Sequence, residues 1–252
     1  MKAIILAAGR GSRMGDRTRD LPKCQAELAG RTLLDWQLSA LRAAGIDQTV
    51  VACGYREETL RGNFTKVRNE RWAETNMVRT LECARDHLRS EPCVVSYSDI
   101  AYHPDHARAL AMSDGDIAIT YDALWHDLWS ARFSDPLDDA ETFLQEDGRL
   151  MAIGGKTKDI REIQGQYMGL LRFSPVGWSV VERKLAELGS SADRLDMTSL
   201  LRLLLADGVR VDAVRTEGRW CEADNQEDLA LYGKMIGNTG ATRWTHDWRW
   251  EP

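Results

Sequence analysis

The chain opens with an apolar run, Lys2 to Ala8, that passes straight into a loop rich in glycine and arginine and ends at Pro22 and Lys23. Lys2 to Ala8 reads as a buried strand. Gly9, Gly11 and Gly15 let the backbone beyond it take positive φ and turn its N–H groups toward a ligand, and loops of this kind bind anions. Arg10, Arg13, Arg17, Arg19 and Lys23 lie within fourteen positions against only Asp16 and Asp20, in a chain whose formal charge is -6. A phosphate chain would neutralise such a basic stretch.

Two familiar phosphate loops do not fit. The P-loop pattern GxxxxGK[ST] is absent, because Gly9 and Gly11 are followed by Ser12 and Arg13. A dinucleotide fold needs GxGxxG opening directly into a helix. Here Gly9, Gly11 and Met14 give GxGxxM, and helical spacing begins only near Leu33, so phosphates would lie in a long loop.

Beyond the loop, strands and helices alternate, as a parallel or mostly parallel sheet requires. Leu34, Leu38 and Leu41 make a helical stripe, Gln48 to Cys53 a strand, and Asn76 to His87 an amphipathic helix. Cys93 to Tyr97 has the length and apolar character of a central strand covered on both faces. Asp116 to Tyr121 is a further strand, and Glu141 to Phe173 reads as a run of strands with turns at Asp147-Gly148 and Gly154-Gly155. Helices at Val176 to Leu188 and Met197 to Ala206, a strand at Val209 to Val214 and a helix at Gln226 to Ile236 complete the pattern. With 252 residues, 43% hydrophobic, the chain can bury a large core.

No stretch approaches the roughly 20 apolar residues that cross a bilayer, and the N-terminus lacks the basic region and cleavage site of a signal peptide. A cytoplasmic protein with neither membrane nor nucleic acid as a partner is expected. The five cysteines are an odd number with no CxxC spacing, which points to reduced thiols in or near the core.

Asp99 is the next loaded position, since ligands of open α/β sheets bind beyond the carboxyl ends of strands. A carboxylate there can hold a cation, and magnesium takes one or two carboxylates together with phosphate oxygens. Glu222 and Asp224, just before the last helix, are candidates for the second acid. Asp224 or Asn225 would serve equally well as that helix's cap.

The opening run resembles the nucleotidyltransferases that activate sugar phosphates and related acceptors, whose signature is LAAGxGxRhx(n)PKxhhxhxG. Leu6, Ala7, Ala8, Gly9, Gly11, Ser12, Arg13, Met14, Leu21, Pro22, Lys23, Leu28 and Gly30 fit it, and Cys24 and Gln25 depart from it. The resemblance implies an α/β, three-layer Rossmann-like nucleotidyltransferase fold, with a mostly parallel mixed central sheet and helices on both faces. It implies that Arg13 and Lys23 grip the triphosphate, that Leu6, Ala7, Ala8, Gly9, Gly11 and Ser12 lie against the nucleotide, and that Asp99 and Asp224 hold Mg²⁺, with Glu222 a second choice. Lys156, in AIGGKTK, matches a lysine that meets the acceptor phosphate.

WAETNMVRTL at Trp72 to Leu81 resembles the TNNxxSL segment of choline-phosphate and phosphonate cytidylyltransferases, with Met77 and Thr80 as departures. LWHDLWSARFSDPLDDAET, EIQGQYMGLLRF, DMTSLL and WCEAD are similar to the same CTP-dependent branch. That likeness implies CTP as donor and a small phosphonate or phosphate as acceptor, with Thr75, Asn76, Thr80 and Ser98 on the nucleotide side and Gln166 on the acceptor side. Trp125 and Trp129, with Tyr102, Tyr121 or Tyr167, would form either an aromatic box for a quaternary ammonium or core packing. Arg132 would instead attract a second anion on the acceptor.

One domain over residues 1–236 is expected, with nucleotide bound by about 1–120 and acceptor by about 121–224. The tail 237–252, with Trp244, Trp248 and Trp250, would pack back on the body or join a homodimer. A sugar-1-phosphate nucleotidyltransferase and a catalytically silent module are the competing classes. The second is disfavoured, because Arg13, Lys23 and the metal acids are all present.

Overall fold

A computed structural model describes residues 1–11, 20–237 and 243–250. In chain order the strands are β1 (Lys2–Ala7), β2 (Glu27–Leu28), β3 (Arg31–Thr32), β4 (Thr49–Cys53), β5 (Thr65–Arg68), β6 (Cys93–Tyr97), β7 (Ile100–Tyr102), β8 (Ile117–Asp122), β9 (Phe143–Glu146), β10 (Arg149–Ile153), β11 (Gln166–Phe173), β12 (Asp212–Thr216) and β13 (Trp220–Glu222). The helices are α1 (Leu33–Ala43), α2 (Met77–Glu82), α3 (Arg85–Ser90), α4 (Pro104–Ala111), α5 (Trp125–Arg132), α6 (Pro175–Leu188), α7 (Met197–Ala206) and α8 (Gln226–Gly237).

Nine strands form one sheet in the order β5-β4-β1-β6-β11-β8-β12-β10-β9. The first four are mutually parallel, β11 runs against both of its neighbours, β8 and β12 are parallel, and β10 runs against β12 and β9. Only β10 and β11 therefore oppose the other seven, so the sheet is mixed but mostly parallel.

The pleat sorts side chains to two faces. In β1, Ala3, Ile5 and Ala7 enter one buried cluster, whereas Ile4 and Leu6 enter the other. The first cluster takes residues of α1, α4, α5 and α8, and the second takes residues of α2, α3, α6 and α7. This is the expected three-layer α/β arrangement, and it explains the apolar runs: a strand covered on both faces cannot alternate.

Three expectations shift. The helix expected at Asn76 to His87 is split into α2 and α3 at Cys83 and Ala84, where Ala84 N–H reaches Leu81 O instead of continuing the α pattern. The break keeps Val78, Leu81, Ala84 and Leu88 all in the core. The strand expected from Val209 begins at Asp212, because Gly208 at φ +77 turns the chain and Val209 N–H still caps Leu204 O of α7. Four of the five cysteines are buried, and all are free thiols, but Cys83 is exposed. The turn at Asp147-Gly148 takes positive φ at both residues, as a tight hairpin between β9 and β10 requires.

Residues 243–250 pack back on the body. Trp248 is fully buried, edge-on to Trp36 and Tyr232, while Trp244 stacks on Tyr232 and Trp250 meets Trp36. His246, also fully buried, lies 2.8 Å from Asp122 Oδ2 at the carboxyl end of β8. Asp122 further accepts from the N–H groups of Leu124 and Gly218 and from Trp220 Nε1. One carboxylate thus pins the start of α5, the approach to β13 and the tail. Among the described residues no helix is long and apolar enough to cross a membrane.

Burial works to raise the Asp122 pKa, but His246, Gly218 and Trp220 outweigh it and hold the carboxyl below its ordinary value. A depressed carboxylate stabilises the fold above its unfolded pKa, and that gain fades as pH falls through the native value. His246→Ala should cost about 2–3 kcal/mol at neutral pH by removing a hydrogen bond to a buried charge. In thermal melts the gap between wild type and this variant should begin to narrow below about pH 4 and close only as the pH falls through the depressed native value, where the carboxyl is protonated in both.

Candidate active site

The carboxyl ends of β1 and β6 lie side by side, because Leu6 pairs with Tyr97. Between them opens a cleft of about 180 Å³ lined by Leu6, Ala8, Gly9, Gly11, Lys23 and Asp99 on one side and by Trp72, Thr75, Asn76, Met77, Thr80, Tyr97 and Ser98 around the rest. Gly11 has φ +67, and a Cβ there would sit 2.6 Å from Lys23 Cβ, so this glycine lets the loop lie directly on the lysine's stem. Lys23 opens a 3-10 turn behind Pro22, which fixes where the side chain leaves the backbone.

Asp99 occupies the two-residue link between β6 and β7. β7 pairs antiparallel with β13, Ile100 opposite Glu222, and Ala223 N–H donates to Asp99 O at 2.8 Å. That short ribbon carries Glu222 and Asp224 to Asp99 from far along the chain. One carboxylate oxygen from each of the three acids lies within 4.8 Å of the others.

Lys23 Nζ donates to Asp99 Oδ2 at 2.7 Å and to Asp224 Oδ1 at 2.9 Å. Burial alone would lower the lysine's pKa, but the two carboxylates outweigh it and keep the ammonium charged well above the ordinary lysine range. Glu222 is pushed up to about 8, first by burial and then by the neighbouring Asp224, with Arg132 pulling the other way.

Asn225, not Asp224, caps α8. Its Oδ1 accepts from Asp228 N–H at 2.8 Å, while Asp228 Oδ2 accepts from the N–H of Asp224 at 2.8 Å and of Asn225 at 3.4 Å, a reciprocal capping box. Arg132 lies beneath this corner with its side chain only 1% exposed, bonded to Asp228 at 3.0 and 3.1 Å and to Glu222 and Asp224 at 3.3 Å. Its guanidinium also covers the Trp129 and Phe133 rings. Burial opposes its charge, and the surrounding Glu222 and Asp228 overcome that penalty.

Of the residues expected at the nucleotide, Leu6, Ala8, Gly9, Gly11, Thr75, Asn76, Thr80 and Ser98 line the cleft. Ala7 is buried within β1 on the other face, and Ser12 and Arg13 lie outside the described residues. The expected acceptor residues do not gather there. Tyr102 and Trp129 are buried in the core, Trp129 donating to Asp139, and Trp125 is buried beside it, so the tryptophan pair packs the core instead of forming a box. Gln166 is used up by the backbone of Glu141, donating to its carbonyl and accepting from its N–H. Tyr167 packs edge-on to the cleft residue Tyr97 at 5.7 Å. Arg132 is committed to three carboxylates. Lys156 is exposed behind the Gly154-Gly155 turn and donates to Asp139 O and Ala140 O.

Two organising residues were not anticipated. Asn69 is buried and donates to both Thr75 Oγ1 and Thr80 Oγ1, fixing that wall of the cleft. Trp72 presses on Gly54, where a Cβ would lie 2.5 Å from its own, and meets Tyr55 edge-on. An asparagine followed by a turn carries no signal of such a role in the sequence; Trp72, in the segment that resembles cytidylyltransferases, does.

Comparison with known proteins agrees with this geometry. Residues 3–158 match the MobA-like NTP transferase domain, and the chain belongs to that family. It is 34% identical, over 92% of its length and 98% of the relative's, to the CTP:phosphoglutamine cytidylyltransferase of Campylobacter jejuni. Among solved structures, the inositol-1-phosphate CTP transferase from T. maritima superposes with a TM-score of 0.71 at 19% identity, covering 95% of this chain and 98% of that one. The CTP:phosphocholine cytidylyltransferase from Streptococcus pneumoniae gives 0.71 at 18%, covering 93% and 98%. The protein is a nucleotidyltransferase.

Replacing Arg132 by alanine strands Glu222, Asp224 and Asp228 without their shared cation. Breaking a buried ion pair in this way should cost about 3–5 kcal/mol. Chemical denaturation should register the loss, and a variant as stable as wild type would show that the carboxylates do not depend on Arg132.

Proposed function

We propose that the protein is a Mg²⁺-dependent cytidylyltransferase, which transfers CMP from CTP to a small phosphate or phosphonate acceptor and releases pyrophosphate. The convergence of Lys23, Asp99 and Asp224 at the mouth of the loop-lined cleft carries this reading, and the extended likeness to a CTP-using relative supports the choice of donor. An amino-acid phosphate is the favoured acceptor type, ahead of phosphonoformate, hydroxyethyl- or aminoethylphosphonate and phosphocholine. Residues 1–120 would bind the donor and 121–224 the acceptor, in the cytoplasm.

The acid corner suits the metal. Among the described residues Asp99 Oδ1 is buried without a hydrogen-bond partner, and Glu222 and Asp224 offer oxygens beside it, the hard ligands that magnesium takes. Bound by Asp99 and Asp224, with Glu222 in reserve, the ion would neutralise phosphate charge.

An acceptor phosphate oxygen is already an anionic nucleophile, so no general base is needed. It attacks the α-phosphorus of CTP, a P–O bond forms, the bond to the β-phosphate breaks, and the electron pair leaves with pyrophosphate. Lys23 and Arg13 stabilise the charge that builds on the α-phosphoryl oxygens and the leaving group. Gly9 and Gly11 allow the phosphates to approach the backbone, Trp72 and the Asn69-braced threonines flank the nucleoside, and Lys156 meets the acceptor phosphate.

Incubation with Mg²⁺, each of the four NTPs and a panel of phosphate, phosphonate and sugar-1-phosphate acceptors, followed by pyrophosphate assay, tests the reading. CTP should be turned over with a small non-sugar acceptor, and Lys23→Ala should lose about a hundredfold or more in rate while remaining folded. Preferential turnover of UTP, GTP or dTTP with a sugar 1-phosphate would overturn it.

A further inference from the structure

Lys23 holds one oxygen of each of the two aspartates that the metal would use. Its ammonium lies 2.7 Å from Asp99 Oδ2 and 2.9 Å from Asp224 Oδ1, and its side chain is only about a tenth exposed. Magnesium holds carboxylate oxygens at about 2.1 Å, so an ion on both oxygens would lie within contact distance of Nζ, cation against cation. Those two oxygens cannot keep both.

We propose that Lys23 is the resident counter-cation of Asp99 and Asp224, and that it must leave these oxygens whenever a divalent cation binds them, swinging into the cleft it already lines. The inference rests on the metal-dependent reading above. Charge supplies the drive: among the described residues, the carboxyl groups of Asp99, Glu222, Asp224 and Asp228 crowd one corner, where Lys23 and Arg132 are paired with them. Arg132 cannot take over the lysine's place, since three carboxylates already hold it from the other side. Lys23 is free to move in a way that Arg132 is not, because a flexible four-carbon stem carries a compact ammonium. Within the cleft the released ammonium meets Gly9, Gly11 and Ser98, where a phosphate would receive it.

Metal and nucleotide are thereby coupled through one side chain. With no phosphate present the lysine competes for the carboxylates and the bare protein binds metal weakly. A bound triphosphate offers the ammonium another partner and removes the competition.

Mn²⁺ titration of the full-length protein, followed by electron paramagnetic resonance without nucleotide or acceptor, tests this directly. Lys23→Met should bind Mn²⁺ at least tenfold more tightly than wild type. Lys66→Met removes an exposed cation on β5 and serves as the control for general electrostatics; it should change the affinity less than twofold. If Lys23→Met folds poorly, its thermal midpoint should rise with Mn²⁺ far more than that of wild type. A gain in affinity for Lys23→Met no larger than that of Lys66→Met, with no extra thermal stabilisation, overturns the proposal. Since neither CTP nor acceptor is present, failure here is separate from failure of the assigned reaction.

Discussion

The bond pair from Lys23 to Asp99 and Asp224 joins three segments that are remote in the chain, with 201 positions between the lysine and the second aspartate. Each partner is useless alone. A buried lysine without a counter-charge would be pushed toward its neutral form, and two neighbouring carboxylates without a cation would repel each other. The fold brings them together through β1 and β6 lying in register and through the ribbon of β7 and β13, which returns the end of the chain to the middle of the sheet edge.

The support behind that corner is as specific as the corner itself. Arg132 and Asp228 form a buried pair that orients Asp224 from below, and the capping box of α8 leaves Asn225 to terminate the helix so that Asp224 can face the lysine. Farther out, Asp122 ties α5, which carries Arg132, to the approach of β13, which carries Glu222, and His246 of the tail covers it. Residues 243–250 of the tryptophan-containing tail are thus connected to the site through Asp122, and none of them lines the cleft.

Much of this was legible in the chain. β1, α1, β4, β6 and α7 follow from apolar runs and periodicity, because their signals are local and the burial that creates them is complete. The loop and Lys23 could be read from glycine and charge, and Asp99 and Asp224 from strand end, helix start and resemblance. What was hidden depends on pairing across distance. β7 and β13 have three residues each and no pattern to announce them. Arg132 looked like an anion receptor because its carboxylate partners lie 90 or more positions away, and a buried cation cannot be told from an exposed one without them. Trp125 and Trp129 share a helical face in either reading; only the packed core decides between a box and a buttress.

The central claim is that cations and carboxylates position two substrates for direct transfer, with no covalent link to the protein. The stereochemistry at the α-phosphorus measures this most directly. With a single diastereomer of CTP carrying sulfur on the α-phosphate and the acceptor that supports turnover, phosphorus NMR of the product should show inversion, as one in-line displacement demands. Retention would mean two displacements through a protein-bound nucleotidyl group, and would contradict the account.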